Sequence, residues 1–436
     1  ADLVSRKTIV YDHKAKASDY KFSKEFKRQK DIKSVKADII EETIVKGAEQ
    51  SFDASKQSTY TKTPSSFDRT QEPHYGKSPI ISVPDVWQNK LINGLHVLGI
   101  KNSEVPLVEF NIDISGGMLF DSPDKVGVAN LVGEMMNRGT KNKTPQQLEE
   151  AIQNLGASIS VYTTKEKISI QVKTLSRNYQ ATLDLMTEML LHPRWDITEF
   201  NLAKKEVISQ IKQQQMNPRE LANIQMDKLL YGQNNILANN LFGTVQSVKD
   251  ISLADLKSFY HNNLSPNLTS FHIVGDIEKS AVLKSLAPLA KTWPKKYLRL
   301  PKLAQTKTPT QSQVYFYDVP NAKQSQLRIG YPSINATNKD HYAASVMNYK
   351  LGGGSFASKL TQELRESKGY TYGVRSGFYG STASGKFMIN SGVRSNVTLE
   401  AVSLIKDIVS SYQADFSEKD LATTQSYFLK SNARKF

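Results

Sequence analysis

The feature of this 436-residue chain that most limits how it can fold is that one order of elements occurs twice. A helix-patterned stretch, QQLEEAIQNLG, is followed by two strand-patterned stretches, ASISVYT and KISIQVKTLSRN, and by a second helical stretch, YQATLDLMTEML. Further along, SKLTQELRESKG, YTYGVRSGF, GKFMINSGVRSN and VTLEAVSLIKDIV answer them in the same order. Gly156 is matched by Gly369 and Asn178 by Asn396. A repeat of about 220 residues describes two domains of one topology, not a short-period solenoid. The fold class that follows is α+β: two homologous domains, each an antiparallel-rich sheet packed with helices.

Local signals support that division. Asn93-Gly94 reads as a hairpin turn, and Leu107 to Ile114 alternates apolar and polar residues as a half-buried strand does. Thr144-Pro145-Gln146-Gln147 supplies an N-cap, a first-turn proline and a capping-box glutamine, and Gly156 ends that helix. Asn178 to Leu191 and Asp196 to Gln215 have helical periodicity, and LTSFHIVGD (268–276) closes the first copy as a strand. WPKKYLRLPKLAQTKTPTQ (293–311), with three prolines and no acid, has the composition of an exposed linker. The expected organisation is a polar leader over 1–82, a first domain over 83–292, the linker over 293–311 and a second domain over 312–436. The second copy has no strand answering LTSFHIVGD, so it is expected to be truncated.

Composition excludes several classes. With no cysteine there is no disulfide, thiolate zinc site or cysteine nucleophile. No run approaches the roughly 18 to 20 apolar residues of a membrane span. ADLVSRKTIV has neither a starting Met nor a signal core, which suggests a processed or excised chain. The net charge of +15 invites a nucleic-acid reading, but the basic residues are scattered. Residues 1–78 balance 16 Lys/Arg against 12 Asp/Glu, so no nucleic-acid partner is expected.

LGGGSFASKLTQELRESKGYTYGV (351–374) places three glycines before a helix and two tyrosines after it. A phosphate loop would need a Gly-Lys-Ser/Thr ending or an acidic residue on a following strand, and neither is present. The glycines instead suit a turn too tight for side chains, and Gly369 suits a left-handed helix end. Tyr370 and Tyr372, two apart in a strand, are expected on one face.

Together with GGMLFDSP, GT-K-T, HPRWD and G-SVKDIS-DL in the same order, these stretches resemble peptidase family M16, the pitrilysin or insulinase group of zinc peptidases. The resemblance covers roughly Val83 to the end, with 1–82 like the tail of a preceding half plus its linker, as in the C-terminal half of a tandem bacterial member. Active members carry His-x-x-Glu-His on the helix after the Gly-Gly strand, two histidines for zinc and a glutamate to activate water. In GVANLVGEMMNRGT (127–140) these positions hold Asn130, Gly133 and Glu134, and the distant glutamate ligand falls at Gln210. The resemblance therefore implies a non-catalytic half, with no metal in this chain and zinc in a partner half on the same polypeptide or a separate subunit. Arg365 and Tyr372 match the arginine and tyrosine that the family's zinc-free half sends across to a peptide substrate. Gly353 and Gly354 match the turn beside them. A bacterial periplasm or cell envelope is the location the resemblance implies. A scaffold of the same fold without a part in proteolysis is the alternative.

Overall fold

The computed structural model describes residues 82–432 other than 305 and 307, together with 65–68, 70, 71, 76 and 80. The leader expected over 1–82 lies almost wholly outside the described residues.

The first unit opens with a hairpin of β1 (Trp87–Lys90) and β2 (His96–Lys101) around Gly94, whose φ of +93° demands glycine. β3 (Leu107–Ser115) leads through a Gly-Gly turn to α1 (Val128–Met136) and α2 (Pro145–Asn154). Thr144 and Gln147 form the expected capping box on α2, and Gly156 follows in the left-handed region at +57°. β4 (Ser158–Thr163) and β5 (Lys167–Leu175) pair antiparallel, and four helices come next: α3 (Tyr179–Leu191), α4 (Ile197–Met216), α5 (Pro218–Tyr231) and α6 (Val245–Asp250). α7 (Leu253–Asn263), β6 (Thr269–Gly275) and α8 (Lys279–Thr292) complete the unit. Its sheet has the order β1-β2-β6-β3-β5-β4, with β2 and β6 the one parallel pair. Alternate residues of the central strands, Phe110, Ile112 and Ile114 on β3 and Phe271 and Ile273 on β6, are buried beneath the helices. That is the consequence of a period-two apolar pattern on a sheet covered on one face.

Among the described residues, 294–323 contain no helix or strand. The second unit then runs β7 (Gln324–Pro332), α9 (His341–Asn348), a π-helical turn over Tyr349–Gly353, and α10 (Lys359–Thr361) continuing as a π-helix over Gln362–Ser367. β8 (Thr371–Gly380), β9 (Gly385–Arg394), α11 (Thr398–Asp415) and α12 (Glu418–Asn432) follow. The sheet order is β7-β9-β8, all antiparallel, over its own apolar core of Leu360, Leu364, Val374, Ile389 and Ile405 among others.

The two units meet through polar contacts. Asp227 on α5 pairs with Lys165 from the β4–β5 turn (2.8 Å) and Lys386 on β9 (2.5 Å). Arg328 on β7 donates to Asn223 Oδ1 (2.6 Å) and to the Arg219 carbonyl (3.1 Å). None of the described helices is long and apolar enough to cross a membrane.

Candidate functional site

α1 carries Asn130, Gly133 and Glu134, where the resemblance expects a zinc motif, and packing decides what they can do. Eight of its nine residues are buried. Its N-terminus starts at Gly127, held at a φ of +112° with the Phe242 carbonyl close by. The Asp121 carboxylate accepts from Gly127 N (2.8 Å) and Ala129 N (2.9 Å), satisfying donors the helix leaves open. Burial pushes the Asp121 carboxyl up to about 7, against those two amide hydrogen bonds.

Asn130 faces inward on this helix, and its Nδ2 is buried without a hydrogen-bond partner. An amide nitrogen has no lone pair to offer a metal. Gly133 is closed by the neighbouring strand: a Cβ there would lie 2.4 Å from Thr163 Oγ1, whose hydroxyl donates to the Ala129 carbonyl (3.2 Å). A glutamate's first carbon would have to displace that hydroxyl, so the position is occupied from β4. Glu134 is mostly buried, and burial raises its carboxyl while Arg138 opposes the rise. Arg138 itself ties α1 to α4 through Glu199 (3.3 Å) and Glu206. Gln210 lies exposed on α4. These residues do not fit a zinc ion: two are amides, one has no side chain, and a single carboxylate remains. Among the described residues no group of three or more His, Cys, Asp or Glu is placed to hold a metal.

The last turn of α1 does something sequence reasoning missed. Asn137 Nδ2 donates to the Val161 carbonyl (2.8 Å) and its Oδ1 accepts from Val161 N–H (2.9 Å), so this side chain clasps edge strand β4 at mid-length. The second unit repeats the clasp at the end of α9. Asn348 Nδ2 donates to the Ser376 carbonyl (2.9 Å) on edge strand β8, and Ser376 Oγ donates back to Asn348 Oδ1 (2.5 Å). The signal was an Asn at matching places in the repeat, visible only once the helices are set against their strands.

The glycine turn of 351–354 works by close approach. A Cβ on Gly352 would lie 2.3 Å from Ser376 Oγ, and one on Gly354 2.7 Å from the Tyr349 carbonyl, which already accepts Gly354 N–H (2.7 Å). Gly354 N–H is thereby committed internally, whereas Gly353 is exposed. After the π-helix, Gly369 sits at a φ of +59° and donates to the Arg365 carbonyl (3.0 Å), the left-handed ending expected of it.

Arg365 and Tyr372 flank that ending. The Arg365 guanidinium stacks over the Phe356 ring (4.5 Å from the centroid) and pairs with Glu366 (3.5 Å), leaving part of the side chain open to solvent. Tyr372 is 87 % exposed. Tyr370 does not share its face: it precedes β8, packs on the second core and donates its N–H to the Leu364 carbonyl (2.8 Å). The pairing of β8 with β9 slips between Thr371 and Val374, and this irregularity breaks the alternation on which a common face depends.

Two family models match the chain one after the other: that of insulinase, peptidase family M16, over residues 96–245, and that of the peptidase M16 inactive domain over 250–428. The uncharacterized zinc protease YmxG of Bacillus subtilis is 23 % identical over 334 residues, 76 % of this chain and 80 % of the relative. The non-peptidase homolog YmxG of Helicobacter pylori is 24 % identical over 343 residues, 76 % of each. The crystal structure of a peptidase M16 inactive domain from Pseudomonas fluorescens superposes with a TM-score of 0.73 at 26 % identity, covering 79 % of this chain and 83 % of that one. The chain therefore belongs to peptidase family M16, as a member of its non-catalytic type.

Proposed function

We propose that this chain is the non-catalytic half of an M16-type zinc peptidase and presents Arg365 and Tyr372 to a peptide held by a zinc-bearing partner half. The observation that carries the reading is the contrast in exposure. The zinc-motif positions on α1 are packed shut, while Tyr372 stands 87 % exposed with Arg365 nearby in sequence and partly open. A phenol and a guanidinium are suited to holding a substrate carbonyl as negative charge develops on its oxygen, and one such donor is worth about 3 kcal/mol at the transition state. An extended peptide would meet this half at the start of edge strand β8, ahead of the Asn348 clasp, where Tyr372 and Gly373 are exposed. The partner, on the same polypeptide or separate, would supply the metal and the base.

The test is peptide turnover by the zinc-bearing assembly with Tyr372→Phe in this half. Turnover is expected to fall about 10²-fold at unchanged thermal stability. Unchanged turnover would remove the tyrosine from the chemistry and leave this chain as a scaffold or chamber wall.

A further inference from the structure

The stretch 293–311 has the composition of a loose linker, yet its first residues are pinned to the first unit. Trp293, just past α8, is buried in that unit's core. Its carbonyl accepts from Asn93 Nδ2 (3.2 Å), in the turn between β1 and β2. Ser265, fully buried, donates its hydroxyl to the Lys296 carbonyl (2.9 Å) and accepts the Lys296 N–H (2.9 Å). Asn267 Nδ2 donates to the Leu298 carbonyl (3.1 Å). With the backbone held at 293, 296 and 298, the Tyr297 side chain is left standing out, 87 % exposed.

A second apolar tip stands beside it. Ile92 is 91 % exposed at the head of the β1–β2 turn, although Asn93 and Leu95 of the same turn are buried. A Cβ on Gly94 would lie 3.5 Å from Asn267 and 3.6 Å from Lys295 Cε, so the Lys295 stem passes against this turn. Its ammonium lies over the Tyr297 ring, 4.5 Å from the centroid, and thus links the two tips. KTWPKKYLRLPK (291–302) carries Lys291, Lys295, Lys296, Arg299 and Lys302 and no acidic residue. Lys296 turns its ammonium to the His261 carbonyl. Among the described residues Lys291, Lys295, Arg299 and Lys302 are paired with no carboxylate. A lone exposed isoleucine is ordinary on a protein surface, but two apolar tips set on fixed turns among unpaired cations are not.

We infer that the β1–β2 turn and residues 295–299 form one face that docks on the surface of an anionic phospholipid bilayer. Ile92 and Tyr297 enter the interfacial layer, where an aliphatic side chain gains burial and a phenol keeps its hydroxyl in contact with water. Lys295 and Arg299, two residues to either side of Tyr297, meet the lipid phosphates. Two apolar side chains are too few to make the buried core of a stable protein interface. A nucleic acid would stack bases on Tyr297 but has no use for Ile92, which offers no ring. The inference stands apart from the peptidase reading, since it uses neither Arg365 nor Tyr372.

The experiment is flotation of the full chain with vesicles of phosphatidylcholine, alone or mixed with phosphatidylglycerol. Binding is expected only where phosphatidylglycerol is present, and should weaken about tenfold or more from low to high salt. Ile92→Ser and Tyr297→Ser should each weaken it about tenfold, and Lys295→Glu with Arg299→Glu at least as much. Because the chain has no cysteine, Ile92→Cys can carry a single environment-sensitive fluorophore. Its emission should shift to the blue on anionic vesicles, while the same label on Ser103→Cys, past the far end of β2, should not respond. Absence of binding to anionic vesicles, equal binding to neutral ones, or labels at 92 and 103 that respond alike overturns the inference. So does binding that Ile92→Ser and Tyr297→Ser leave unchanged, which would make it a matter of charge alone. Capture of single-stranded DNA in preference to vesicles would overturn it too, and assign the patch to nucleic acid.

Discussion

The two sheets end alike on the outside and differently on the inside. At the outer edges, Asn137 clasps Val161 and Asn348 clasps Ser376, and both strand residues lie opposite the equivalent isoleucines, Ile170 and Ile389. The difference between the clasps is small: Asn137 accepts from a backbone N–H, Asn348 from a serine hydroxyl. Inside, β3 is buried between two partners, whereas among the described residues β7 is paired with β9 alone. The comparison separates what the shared topology imposes from what each unit does with it. A helix must lie across the outer edge in both, and an asparagine at its end satisfies strand groups that would otherwise be stranded under it. The core beneath is then free to diverge, closing tightly around α1 and leaving α9 with Tyr342 and Met347 exposed.

The sharpest way to break this contrast is to force chemistry back into the closed unit. Gly133→Glu drives a carboxylate into Thr163 and is expected to cost about 4 kcal/mol or more, or to prevent folding, in urea titrations. Adding Asn130→His and Glu134→His should still yield no stoichiometric zinc by metal analysis of any folded fraction.

A second test uses the buried carboxylate that starts α1. The Asp121 carboxyl titrates near 7 when folded against 3.8 ordinarily, so between those values the folded chain holds a proton that the unfolded chain has released. Stability should therefore fall as pH rises from about 4 to about 7, by up to ~1.4 kcal/mol per pH unit, and level off above. Asp121→Asn should flatten that slope in unfolding curves taken at half-unit intervals. A slope unchanged by the substitution would assign the dependence to other groups.

Smaller effects probe how the units are joined. Asp227→Asn leaves Lys165 and Lys386 facing each other without their shared anion, and is expected to cost about 1–3 kcal/mol. Calorimetry should then resolve two transitions where the parent shows closer coupling. Finally, Gly156→Ala and Gly369→Ala occupy matching left-handed positions with open space around them, so each should cost about 1 kcal/mol and the pair should add. Unequal costs would show that the two helix ends are not equivalent.

The repeat itself was legible because its markers are local: a left-handed glycine, a capping box and an alternating strand each follow from a few adjacent residues. Thr144 to Gly156 and the strands of LTSFHIVGD and KISIQVKTL appear where the pattern puts them. The α5 helix escaped notice because Pro218 looks like a stop, yet it sits at the first helical position with Asn217 as cap. SKLTQELRESKG reads as an ordinary helix but winds largely as a π-helix, and the slip at the start of β8 parts Tyr370 from Tyr372. Of the candidate site, the residue types at 130, 133, 134 and 210 were visible in sequence. What closes them was not, because Thr163 is thirty residues from Gly133 along the chain and meets it only through the packing of α1 on β4.

That contact also ties two distant positions together. Since the Thr163 hydroxyl holds the volume a side chain at 133 would need, any side chain there must first turn that hydroxyl away from its bond to the Ala129 carbonyl. A larger residue at 133 is therefore coupled to a smaller one at 163. A threonine on an edge strand thus sets which residues the neighbouring helix can carry.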